Sequence, residues 1–352
     1  MDKTRTLPPE PVFSQSFSAM ALLRFAFPTM AMMVFMGLYT MVDTVFAARF
    51  VNEYALSAIN VVCPVINLTV GLGTMLAAGG NAIISRKMGC ERGQEAKENF
   101  TLLTAAGIAL GLVITAVGLV FLKPLLHFLG AGGLLFPYCR TYLVILLLFA
   151  PANILQTLFQ NFFITAGRPG MGFVVSFLAG TANILFDYVF MALANLGIAG
   201  AALGTGIGYL LPGIVGLCYF SKSRGPLSFC RPKFDRKVLA ESCFNGSSEM
   251  VSQLATAVTT LLFNRIMMSL AGESGVAAIT ILIYSQFLLN TLFIGYSMGV
   301  APVIGYHYGS KNTEQLKRIL RVCIRFILAV SVAVFALCGW GNRFIEIGRA
   351  HV

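Results

Sequence analysis

Nine stretches of about 20 or more mostly apolar residues run through this 352-residue chain. A run of about 20 is the length a helix needs to cross the roughly 30 Å hydrocarbon core of a bilayer. They span about Leu22 to Ala47, Leu56 to Ile84, Leu102 to Leu122, Tyr142 to Ile164, Met171 to Leu193, Ile198 to Tyr219, Cys243 to Leu270, Val276 to Ile304 and Ile319 to Trp340. Composition agrees, with 57% hydrophobic residues and only 11% charged, where a water-soluble chain has about 25% charged. The sequence therefore predicts an all-α polytopic membrane protein with nine transmembrane helices present. The first run is too long for a signal-peptide core and reads as a retained helix.

The net charge of +11 would suggest nucleic acid in a soluble protein. Here the basic residues fall between apolar runs, so they read as topology signals and no nucleic-acid partner is expected. With the N-terminus placed in the cytoplasm, the inner connections hold most of them, from Arg86, Lys87, Arg92 and Lys97 to Lys311, Lys317, Arg318 and Arg321. The outer ones hold only Arg49, Lys123 and Arg140. That asymmetry sets the orientation.

The connection 221–237 carries six basic residues and two prolines and marks a boundary between halves. Sliding the chain by 220 residues pairs Gly79 with Gly299, Ile84 with Ile304, Gly89 with Gly309 and Lys97 with Lys317, among about nine identities in 45 positions. Six helices per half would make the repeat parallel, a signature of secondary transporters. The expected organisation is residues 1–220 as an N-terminal six-helix bundle, 221–237 as a cytoplasmic basic linker, and 238–345 as a partial C-terminal bundle of helices 7 to 9. Two 220-residue units would need about 440 residues, some 88 more than are present, and residues 346–352 resemble a translated sequencing adapter.

Catalytic and nucleotide signatures are absent: the chain has no GxxxxGK[ST], HExxH, GxSxG or calcium-loop pattern. Its eight cysteines form no CxxC pair, and His127 and His307 are isolated. An enzyme is not expected, nor a cofactor beyond a coupling ion.

Ionisable residues inside apolar spans are costly and so point to function. Asp43 lies six residues before Arg49, roughly 9 Å from the outer end of helix 1, and Asp187 lies roughly 12 Å from the turn at Asn195. Thr205 sits at the same depth on the next helix, and Asn183 is one turn below Asp187 on the same face. These hard oxygen ligands suit a sodium ion, while a carboxyl in a low-dielectric pocket can instead load a proton near neutral pH. Capping of broken helices is the competing structural reading. Glu249 in helix 7 is a further candidate for a substrate cavity, and the methionines of helix 1, Met33 and Met36 among them, could line an adaptable surface for flat cations. Pro28 frees a backbone carbonyl inside helix 1 and permits a bend. The Gly204 to Gly208 run reads as a helix-packing surface.

Together, Pro28, the Val42-Asp43-Thr44 segment, Asn183 with Asp187, Thr205 and the paired halves resemble the MATE (multidrug and toxic compound extrusion) transporters. The resemblance implies two bundles around a central cleft and export of small organic cations and drugs driven by a sodium or proton gradient. It also implies that Asp43, Asn183, Asp187 and Thr205 form the Na+ or H+ site of the first bundle, with helix 1 hinging at Pro28. A multi-pass monomer in the plasma (inner) membrane follows, contacting membrane lipid and cation substrates. The family has twelve helices, so a nine-helix chain alone is not expected to transport. The alternative is a flippase of lipid-linked oligosaccharide or polysaccharide, which would call for arginines in the cleft.

Overall fold

A computed structural model describes residues 12–14, 17–51 and 53–349, with a minority of side chains, including Asp43 and 271–280, outside the described set. The described backbone forms helices α1 (Ala19–Phe50), α2 (Glu53–Gly89), α3 (Gly93–Val120), α4 (Leu122–Phe128), α5 (Phe136–Leu148), α6 (Ala150–Thr165), α7 (Pro169–Asp187), α8 (Ile198–Lys222), α9 (Arg236–Gly309) and α10 (Thr313–Arg349). Among the described residues, six helices are long and apolar enough to cross a membrane, or seven if one bent pair counts as a single span. The chain is thus an all-helical, multi-span membrane protein.

The bent pair corrects the fourth expected span. Tyr142 to Ile164 is not one rod: α5 and α6 meet at Phe149 at an angle of 52°. The cause is Pro151 in the first turn of α6. Proline has no N–H to give the carbonyl of Leu147 four residues earlier, and its ring crowds that carbonyl. The freed oxygen is taken by the Thr115 hydroxyl of α3, at 2.5 Å. Beside it, Gly111 lets α3 lie against Pro151, because a Cβ at Gly111 would strike the proline backbone.

The α9 helix replaces the seventh and eighth expected spans with 74 continuous helical residues. It does not run straight. Arg86 at the end of α2 pairs with Glu241 at 2.9 Å, and a Cβ on Gly309 would lie 3.1 Å from the Arg86 Cα. Residues 241 and 309 would stand roughly 100 Å apart along a straight helix, so α9 runs out and doubles back. Its first leg packs on α2, where a Cβ on Gly71 would lie 3.6 Å from the Gln253 Cβ, and its second leg on α1, where a Cβ on Gly295 would lie 2.8 Å from the Met30 Cα. The reversal therefore falls between these contacts.

The contacts between α9 and the first two helices come in pairs that differ by 220 residues. A Cβ on Gly79 would lie 3.0 Å from the Gly246 nitrogen, and one on Gly299 would lie 3.0 Å from the Ala26 Cα. A Cβ on Gly89 would lie 2.8 Å from the Tyr306 carbonyl carbon, and one on Gly309 would lie 2.9 Å from that of Arg86. Each member maps on the other when 220 is added. These glycines allow backbone-to-backbone approach, the usual device where apolar solvent gives no other drive for helices to associate.

The largest core cluster fills the same end of the molecule with Phe100, Phe159, Phe162, Phe163 and Phe220, and extends to Tyr296, Val300 and Val303 of α9. A second, around Cys139, Leu143, Met191 and Ala202, fills the opposite end of the first bundle.

Candidate functional site

Asp187 is the last residue of α7 and is fully buried. The backbone beyond it widens into a six-residue π-helical stretch, Tyr188–Leu193, a feature that often marks functional positions in helices. The chain then turns through Asn195 and Gly197, both with positive φ, 51° and 57°. Glycine bears this without strain, and asparagine is among the few other residues that do so readily.

Three glycines one turn apart let α8 lie flush on this end of α7. A Cβ at Gly200 would sit 2.9 Å from the Phe190 carbonyl carbon, one at Gly204 would collide with Asp187 Oδ1, and one at Gly208 would sit 3.1 Å from the Asn183 Cβ. Gly206 and Gly216 point elsewhere, onto the rings of Phe149 and Phe159. The glycine run of α8 is therefore a packing surface, and its central member is shaped around the carboxylate.

Asn183 is 3% exposed, and its Oδ1 has no hydrogen-bond partner among the described residues. Thr205 follows Gly204 in α8, and its hydroxyl donates to the Ala201 carbonyl at 3.0 Å. Both side chains line a cavity of about 90 Å³ enclosed by α1, α6, α7 and α8. Asp187 and Asn183 thus meet α8 at Gly204 and Gly208, with Thr205 between those two glycines in sequence, while Asp187 itself is not part of the cavity lining. Asp43 lies in the last two turns of α1, and its side chain lies outside the described residues.

Only one of the two methionines singled out lines the cavity. Met36 does, with its sulfur accepting from Gln160 Nε2 at 3.4 Å, whereas Met33 is half-buried outside the lining. Glu249 is exposed on the first leg of α9, apart from this cavity. Pro28 lies inside the continuous α1.

Sequence reasoning missed the amides of α6. Gln160 also donates to the Ser176 hydroxyl at 3.1 Å, and Gln156 Oε1 is buried with no partner among the described residues. Two glutamines four residues apart in an apolar run was the available signal. With Tyr39, Thr40 and Tyr209 they place polar groups around a wall that also has apolar surface. Drug-sized pockets run to about 300 Å³ or more, so the chamber suits water or an ion rather than a flat multi-ring cation.

Membrane-spanning helices packed around a small chamber, with a buried carboxylate one turn from the Asn183 on its wall, make a secondary transporter the class that this construction fits. The sequence matches the MatE family over residues 28–189 and 250–345. The chain belongs to that family. Among its relatives, the multidrug export protein MepA of Staphylococcus saprophyticus is 25% identical over 330 residues, covering 93% of this chain and 71% of the relative. MepA of Staphylococcus haemolyticus is 26% identical over 329 residues, with the same coverage. A crystal structure of a MATE protein in complex with MaD3S superimposes with a TM-score of 0.87 at 21% identity, covering 94% of this chain and 75% of that one. The fold is accordingly that of the MATE transporters.

Proposed function

We propose that this protein is an ion-coupled multidrug exporter in which Asp187, with Asn183, Thr205 and Asp43, loads the Na+ or H+ that drives export of small organic cations. The observation that carries the reading is the seat of Asp187, a fully buried carboxylate held against a glycine cut to its shape, one turn from a buried amide oxygen on a small polar chamber. An ionisable residue inside a membrane-spanning segment is costly to keep and so marks a candidate functional site. The multidrug export relatives support the substrate class.

In this reading the two legs of α9 are spans seven and eight, so the chain holds nine, divided into 1–220, the basic linker 221–237 and 238–345. The N-terminus is cytoplasmic and the membrane is the plasma membrane. The paired glycine contacts close one end between α1, α2 and α9. Cation loading at Asp187 biases the balance between closed and open forms of that end, and substrate reverses it. Pro28 gives α1, which borders both the chamber and the seam, a point at which to bend. The small chamber serves the ion, and substrate binds in the cleft between halves, with Glu249, exposed on the first leg of α9, as its acidic contact.

The test is ethidium accumulation in efflux-deficient cells expressing this sequence within a gene of its relatives' full length, since the chain spans about 71% of the multidrug export relatives. Low accumulation that rises with Asp187→Asn, and with collapse of one cation gradient, is the expected result. Accumulation equal to that of empty-vector cells, despite verified expression, would overturn the reading.

A further inference from the structure

The basic connection between α8 and α9 is not a loose tether. Leu227 is fully buried. The Phe229 ring lies 5.0 Å from that of Phe100, and its N–H donates to the Phe220 carbonyl at 3.3 Å. The backbone N–H of Cys230 donates to the Thr101 hydroxyl at 3.2 Å. Alternate parts of the segment are thus stitched to α3 and α8.

That stitching fixes its height. Thr101 lies eight residues into α3, roughly 12 Å from the helix start, and next to Leu102, where the apolar run begins. The α3 span of 28 residues is roughly 42 Å long, about 12 Å more than a hydrocarbon core needs. The segment therefore runs beside the bundle at the level of lipid headgroups rather than out in the cytoplasm.

With Leu227 and Phe229 turned inward, the segment turns its cations outward. Lys222, Arg224, Arg231, Lys233, Arg236 and Lys237 are all exposed, and none has an ion-pair partner among the described residues. The one carboxylate within the segment, Asp235, accepts from the Lys237 N–H at 2.9 Å and caps α9. Two other acids lie close by: Glu95, whose charge Lys233 senses without an ion pair, is engaged by Lys87 at 3.0 Å, and Glu241, one turn beyond Lys237, by Arg86 at 2.9 Å. Among these cations stands Phe234, 70% exposed, and Phe244 on the first turns of α9 is 80% exposed. Exposed aromatic rings beside lysine and arginine are the pattern of side chains seated at a bilayer interface.

We infer that residues 221–237 form a binding strip for anionic phospholipid headgroups of the cytoplasmic leaflet. Cations of the strip meet the lipid phosphates, and Phe234 enters the boundary between headgroups and acyl chains. A basic residue held at an anionic surface strengthens binding by roughly five-fold. Because the strip is fixed to the first bundle and leads directly into α9, the lipid bridges the connection between them.

The experiment is native mass spectrometry of the purified chain titrated with phosphatidylglycerol, with phosphatidylcholine as the neutral comparator. The native chain is expected to retain phosphatidylglycerol preferentially. The variant Arg224→Gln/Arg231→Gln/Lys233→Gln/Lys237→Gln should weaken that retention by roughly five-fold per charge removed, without changing phosphatidylcholine. Neutralising Arg49, Lys123 and Arg140 at the other face should leave it unchanged. Should the four-site variant fail to fold, salt applied to the native chain gives the same answer, lowering phosphatidylglycerol retention alone. Equal retention by native chain and variant, an equal loss from the Arg49, Lys123 and Arg140 set, or displacement of the lipid by inorganic phosphate at constant ionic strength would overturn the inference.

Discussion

Replacing Gly246 with alanine should loosen the end of the molecule sealed by α2 and the first leg of α9. A Cβ at this position would sit 2.7 Å from the carbonyl carbon and 2.9 Å from the Cα of Met75. Carbon atoms in contact prefer about 3.5–4.0 Å, so the two helices must part by about 1 Å. No side chain can rotate away, since the obstructing atoms are backbone. Overpacking of this kind typically costs about 1–3 kcal/mol. If the separated form escapes that strain, the closed-to-open ratio falls by roughly five-fold to 150-fold, at about 1.4 kcal/mol per ten-fold. The reporter is Ser242, one turn away on α9 and fully buried, with its hydroxyl donating to the Leu76 carbonyl at 3.3 Å. A Ser242→Cys chain would be treated with maleimide, and modification at that position followed by peptide mass spectrometry. Gly246→Ala should accelerate labelling by a factor within that range. Gly93→Ala, where a Cβ meets nothing within 4 Å, should not change it. An unchanged rate in Gly246→Ala, or an equal rise in Gly93→Ala, would refute the view that this glycine seam seals the end.

Other outcomes follow from the same geometry. Gly204→Ala drives a methyl into Asp187 Oδ1, and in a gene of the relatives' full length should abolish gradient-dependent ethidium export while leaving the amount of protein in the membrane near native. Thr115→Val leaves the Leu147 carbonyl without its donor at the α5–α6 bend, and should lower stability by about 1 kcal/mol in thermal unfolding, with Thr115→Ser near native. His307 lies three residues beyond the apolar run of α9, is 2% exposed, and has no partner at either ring nitrogen among the described residues. Burial holds its pKa below the ordinary 6.5. The folded chain thus keeps a neutral ring where the unfolded chain takes a proton, so stability should hold above about pH 6.5 and fall as pH drops below it. His307→Leu should reduce that acid-side loss in melting curves between pH 8 and pH 5.

Much of this architecture was legible because span length, charge asymmetry and glycine spacing are local properties of a sequence. Asn183 and Asp187 share a helix face by spacing alone, and Thr205 reaches them because a short turn forces α8 to return at the same depth. The 220-residue offset, weak as identity, reappears as contacts because glycine is required wherever backbones touch. What was not legible depends on partners distant in sequence. Pro151 signals a break, but the bend is set by Gly111 and Thr115 on another helix. Gln156 and Gln160 resemble tolerated polar residues until α7 and α8 close a chamber over them. Toward the small cavity, helix 1 turns Tyr39 and Thr40 along with Met36, a face that spacing in an apolar run does not single out. Which face of an apolar helix looks inward is decided by its neighbours, since lipid penalises neither choice among apolar side chains.

The central claim is that the carboxylate of Asp187 binds the coupling cation. The most direct test is thermal stability of the purified chain, measured against Na+ concentration at constant ionic strength and against pH, for native protein and Asp187→Asn. A ligand that binds only the folded form stabilises it by about 1.4 kcal/mol at ten times its Kd. The account predicts that the native chain responds to Na+ or to protons by this order of magnitude and that Asp187→Asn abolishes the response. Identical sodium and pH profiles for the two proteins would contradict it.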